Sequence, residues 1–75
     1  MTLGETRVRL VFNPSANTAV DDIKRRAADC IDWCAEKSAM QDDSSHNASE
    51  RKRLFALAMT HFEEAAMWAV KAGTE

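Results

Sequence analysis

This 75-residue sequence contains no apolar run near the roughly 18 residues needed to cross a bilayer. Met1–Val11 alternates polar and apolar residues and lacks the continuous apolar segment of a signal peptide. The expectation is therefore a soluble intracellular protein with no membrane partner. Only two cysteines are present, Cys30 and Cys34, four apart within a helical pattern; that spacing is poor for a framework disulfide and suits reduced thiols. No second Cys or His pair accompanies them, so two small core residues are the better account than a metal site with His46 or His61. A basic excess is missing too. The formal charge is −2, whereas holding a long polyanion by counterion release calls for a basic face across many phosphates, so DNA and RNA are not expected partners. Catalytic constellations are likewise absent. His61-Phe62-Glu63-Glu64 is not a His-Glu-x-x-His motif, its two glutamates point different ways around a helix, and Ser44, Ser45 and Ser49 have only His46 near them. Neither enzymatic chemistry nor a cofactor is expected.

What is there is helical. Thr6–Phe12 alternates at period two with β-branched residues and predicts a short extended arm. Asn13-Pro14-Ser15-Ala16-Asn17 breaks the chain, completing an arm and turn over residues 1–17. Thr18 is a plausible N-cap, with Asp21 and Asp22 placed to favour the helix dipole. The first helix is expected over 19–39 on a heptad seam of Val20, Ile23, Ala27, Cys30 and Cys34, widened by Ile31 and Trp33. Polar turn formers fill a loop over 40–49, and Ser49 is placed to cap a second helix over 50–72 that Gly73 ends.

The second helix has apolar residues on two adjoining sides: Leu54, Leu57, Ala58, Ala65 and Trp68 on one, Phe55, Met59, Phe62, Ala66 and Val70 on the other. A two-helix hairpin can bury only one of them. A chain this short buries only about 60–65% of its unfolded surface, so oligomerisation is the expected support. The fold class is thus all-α: a single-domain two-helix hairpin with a short extended N-terminal arm, assembled into a homo-oligomer. Met40, Met59 and Met67 with Trp33 and Trp68 fill either that interface and core or an adaptable binding surface.

One constellation points to a ligand. Phe12 ends the arm, a polar turn follows, and the helix beginning near Thr18 directs unpaired N–H groups and its positive end toward that turn, with Lys24, Arg25 and Arg26 following. A phosphate and a stacked base would both be served there; the competing account is a buried phenylalanine beside a solvated Lys-Arg-Arg face. Arg51-Lys52-Arg53 allows the same two readings, a second anion site or a solvated first turn.

Arg9-Leu10-Val11-Phe12-Asn13-Pro14-Ser15-Ala16-Asn17, followed by Val20-Asp21-Asp22-Ile23-Lys24 and Ala27-Ala28, resembles the opening of the phage cyclic-nucleotide sponges, the anti-CBASS and anti-Thoeris hairpin family. Ala58-Met59-Thr60-His61-Phe62-Glu63-Glu64-Ala65-Ala66-Met67-Trp68-Ala69-Val70-Lys71-Ala72 is similar to that family's second helix. The resemblance implies an interlocked oligomer, commonly a hexamer, encoded by a phage or prophage. In the bacterial host's cytoplasm it would capture cyclic dinucleotides, cyclic trinucleotides or cyclic ADP-ribose isomers without hydrolysing them. Carried over by position, Phe12 stacks on a base, Asn13 and Pro14 shape that wall, and Lys24 contacts a phosphate; Arg26, from the basic run on the same helix, completes the expected ligand-binding set. Many relatives have Tyr-His-Pro at the turn, so here Phe12 lacks a hydroxyl and Asn13 replaces an imidazole. A competing function is a small helical adaptor or inhibitor that binds a host protein through its apolar faces.

Overall fold

The computed structural model describes residues 1–13 and 16–75. Three helices follow one another, α1 (Leu3–Arg7), α2 (Thr18–Ala39) and α3 (Ala48–Gly73), with no strand among the described residues. The long helices form the hairpin, and α1 lies across α2.

Helix α1 corrects the expected extended arm. Thr2 and Glu5 form a capping box: the Glu5 amide donates to Thr2 Oγ1 at 3.1 Å and the Thr2 amide to Glu5 Oε1 at 2.7 Å. Seven alternating residues without a partner strand leave their backbone groups unpaired, whereas a capped turn pairs them at once. Beyond Arg7 the chain continues in turns, with the Leu10 amide donating to the Glu5 carbonyl at 3.0 Å and the Phe12 amide to the Arg9 carbonyl at 2.9 Å. Val8 still reaches the core, and Leu10 packs against it.

Gly4 lets α1 sit directly on α2. A Cβ there would stand 2.1 Å from the Ala28 carbonyl oxygen, a backbone atom that cannot swing aside. The Gly4 amide donates to Asp32 Oδ1 at 2.7 Å and Arg25 pairs with Glu5 at 2.9 Å, fastening the contact. Gly4→Ala is therefore expected to cost about 2 kcal/mol through overpacking and to lower the melting temperature by roughly 10 °C for a domain of this size. A circular dichroism melt checks this; an unchanged melt would mean that α1 does not bear on stability.

Asn17 caps α2, its Oδ1 accepting from the amides of Ala19 at 2.9 Å and Val20 at 3.2 Å, so Thr18 is the first helical residue and not the expected cap. The buried seam also differs from the expected one. Val20, Lys24, Ala27, Ile31 and Cys34 are buried together with Ala28, while Ile23 and Cys30 are only half-buried. The helix is rolled toward Ala28 because α1 claims that side. Ile31, with no exposed surface, contributes about 2–3 kcal/mol of apolar burial.

Helix α3 begins after Asn47, whose left-handed backbone (φ 71°) turns the chain without a side-chain cap; Ser49 lies within the helix. Ala66 is buried, and Met59 packs against the same core. The opposite side is open: Leu54, Leu57 and Trp68 are exposed, Trp68 at 62%. Trp33 and Phe55 meet edge-on at 6.0 Å between ring centroids and, with Leu54 and Phe62, line an apolar groove of about 720 Å³. The body measures 47 × 21 × 12 Å with a radius of gyration of 14.1 Å, whereas a compact chain of this length has about 11 Å. Its accessible surface of 5248 Å² likewise exceeds the roughly 4,600 Å² of a compact monomer of this mass. No described helix is long and apolar enough to cross a membrane.

Candidate functional site

The turn over Arg9–Asn13 is built around one buried cation. Lys24 stands in the second turn of α2, only 6% exposed, and its Nζ donates to the carbonyl of Arg9 at 2.9 Å and to that of Phe12. The left-handed backbone of Arg9 (φ 54°) folds the chain so that both carbonyls converge on the ammonium. The Phe12 ring lies over it at 5.6 Å from centroid to Nζ, a cation–π contact. Phe12 itself is 63% exposed, so it is not the buried phenylalanine of the competing account. No carboxylate forms an ion pair with Lys24 among the described residues.

Asn13 closes the turn. Its Nδ2 donates to the Asn17 carbonyl and to Asp21 Oδ1, both at 2.8 Å, and its Oδ1 accepts from the Asn17 amide at 3.1 Å. These hydrogen bonds commit the Asn13 side chain to Asn17 and Asp21. Pro14, expected in the same wall, lies outside the described residues. Arg26 is not brought to Phe12 and Lys24 within one chain. Two helical positions from Lys24 it projects about 200° away, pairs with Asp22 at 3.1 Å, and lines a different groove with Ile23, Cys30 and Ala65.

A cleft of about 590 Å³ opens between Arg7–Arg9, Lys24 and the C-terminal half of α3, within the size range of small-molecule sites. Arg7, Arg9, Lys24 and Lys71 line it against one carboxylate, Glu63, which Arg7 engages at 3.2 Å. Val8, Met67 and Val70 supply apolar wall. An excess of cations in a partly apolar cleft suits an anion carrying a flat or apolar body. Sequence reasoning missed Arg7, Arg9 and Lys71; the only signal was Arg7 and Arg9 sharing one side of the alternating stretch. Asn17 Nδ2 donates to the Gly73 carbonyl at 3.2 Å, tying the turn to the end of α3.

The remaining candidates are engaged elsewhere. Arg53 pairs with Glu50 at 2.6 Å, Lys52 with Asp43, and Arg51 reaches Gln41 at 3.5 Å, as a solvated first turn would. Burial pushes the Cys34 thiol up, with Cys30 adding to the effect, which keeps it protonated. No three His, Cys, Asp or Glu side chains converge as metal ligands among the described residues.

Helix α1, which carries Arg7 toward the cleft, is held by a titratable group. The Thr2 amide, followed by Arg25, holds the Glu5 carboxyl below its ordinary range. A carboxyl depressed in the folded state contributes stability that is complete above its unfolded pKa, about 4.3, and is lost as the pH falls through the folded value. Hydrogen exchange at the Gly4 amide is thus expected to quicken below about pH 4 relative to core amides of α2; protection independent of pH would count against this anchor.

The model of one protein family, described as the Acb2/Tad1 hairpin domain, matches residues 4–74. No curated protein and no solved structure matches the chain.

Proposed function

Because the chain belongs to the Acb2/Tad1 hairpin-domain family, the anti-CBASS and anti-Thoeris sponges, we propose that it captures cyclic dinucleotides and holds them without cleavage. Cyclic trinucleotides and cyclic ADP-ribose isomers are its other ligands in this reading. Phe12 stacks on a base, the Lys24 charge beneath it draws a phosphate, and Asn13 holds the wall in place. The carrying observation is that Lys24 is buried under an exposed aromatic ring, with two carbonyls on its ammonium and, among the described residues, no carboxylate paired with it. A buried cation without a paired counter-charge favours an anion close by.

Self-assembly, with a hexamer as the specific form, belongs to the same proposal. The open side of α3 would pack against sister copies, and a two-fold interface would present Phe12 and Lys24 twice to a ligand with two similar halves. Nanomolar capture corresponds to roughly −12 kcal/mol, which stacking and phosphate neutralisation in a preformed site can supply. The setting is the cytoplasm of a bacterial host during phage infection, where the effector loses its activator.

Native mass spectrometry with and without a cyclic dinucleotide tests this. A closed oligomer with stoichiometric ligand is expected, and denaturation should return the nucleotide chemically unchanged. A monomer indifferent to cyclic dinucleotides, cyclic trinucleotides and cyclic ADP-ribose isomers would end the proposal. The exposed face of α3 also suits the adaptor reading, in which it binds a host protein; a closed assembly that covers Leu54, Leu57 and Trp68 removes the surface that reading needs.

A further inference from the structure

Arg9 is exposed, lines the cationic cleft, and adopts a backbone conformation (φ 54°) that glycine takes freely and side chains rarely do. Among the described residues the fold engages Arg9 through its main chain: its amide donates to the Thr6 carbonyl, and its carbonyl accepts from Lys24 Nζ and from the Phe12 amide. A glycine would perform both tasks with less strain. The guanidinium is also unlike its peers. Arg7, Arg25, Arg26 and Arg53 each engage a carboxylate, and Arg51 reaches Gln41. Among the described residues Arg9 is the one arginine whose side chain has no hydrogen-bonding or ionic partner. Strain retained at a residue whose side chain the fold does not use is the pattern of a position kept for function.

We propose that Arg9 is a ligand-contacting residue: its guanidinium closes on a phosphate of a phosphodiester in the cleft, while Lys24 holds the turn beneath it. A planar fork of donors matches two phosphate oxygens at once, which a buried ammonium already engaged by two carbonyls does not. This assignment rests on the sponge reading for the identity of the ring, but the contact itself requires only a phosphate anion with access to the cleft.

The test compares the wild-type chain, Arg9→Gly and Arg9→Gln by calorimetry with 3′,3′-cyclic GMP-AMP and with inorganic pyrophosphate at several salt concentrations, alongside thermal melts. Arg9→Gly is expected to melt at or above the wild-type temperature yet bind the cyclic dinucleotide at least about tenfold more weakly, with a salt slope shallower by about one. Arg9→Gln, which keeps the side-chain bulk, should lose affinity similarly. Wild-type affinity in both variants overturns the assignment. Pyrophosphate binding that depends on Arg9, without binding of the cyclic dinucleotide, upholds the Arg9 contact and refutes the ring as ligand. Binding of neither probe by the wild-type chain overturns both.

Discussion

Replacing Lys24 by methionine is expected to remove cyclic dinucleotide binding by at least about 100-fold and to destabilise the fold by roughly 2 kcal/mol. The thioether keeps the apolar stem of the lysine but leaves the Arg9 and Phe12 carbonyls without the donor on which they converge. The two losses share one cause, because the cation that would draw a phosphate also fixes the turn. Phe12→Ala should separate them. That ring is mostly exposed, so its removal is expected to leave the melting temperature within a few degrees while weakening binding by roughly 10- to 100-fold, the worth of a stacked base. Calorimetry paired with melts reads both quantities. A Lys24→Met chain that melts early but binds normally would restrict this lysine to a structural role, and a Phe12→Ala chain that binds normally would remove the stacking surface.

The second large effect concerns the outward side of α3. If the proposed assembly forms through this side, Leu57→Glu together with Trp68→Glu should leave a monomer of nearly unchanged helical content and weaken the proposed ligand capture by about 100-fold or more. Both residues are exposed in the single chain, and surface changes of that kind usually alter the stability of the chain itself by no more than about 0.5 kcal/mol. Any loss of oligomer is then attributable to the contact between copies. Light scattering on the wild-type and doubly substituted chains distinguishes the states. An unaltered oligomer in the variant would place the interface elsewhere on the hairpin.

Much of the helical hairpin was legible in the sequence, for reasons seen in particular residues. Periodicity, a capping region near Thr18 and the terminal Gly73 set α2 and α3 to within about two residues, since caps and amphipathic stripes are local signals. The two-sided character of α3 was legible as well: Met59 and Ala66 turn to the core while Leu57 and Trp68 do not. At the N-terminus two local signals compete, and the capping box of Thr2-x-x-Glu5 prevails over the alternation of Thr6–Phe12 because it pairs backbone groups within one turn. The seam of α2 then shifted from Ile23 and Cys30 to Lys24 and Ile31, which depends on Gly4 docking at Ala28, a contact that periodicity within one helix does not encode. In the candidate site Phe12, Asn13 and Lys24 were named from spacing and resemblance, and the structure draws them together. Arg26 was named with them and projects elsewhere. The cleft formed with Lys71 joins positions far apart in the chain, and only tertiary packing brings them side by side.

A body 12 Å through its least dimension is about one helix thick, so the hairpin has surfaces but no interior in which a guest could be enclosed on all sides. Whatever is shut away from solvent on such a slab must be shut away by a second slab laid against it. In the assembly proposed above, retention of a guest and cohesion of the copies would be one linked equilibrium: dilution that parts the copies would release the guest, and the guest in turn would lower the concentration at which they adhere.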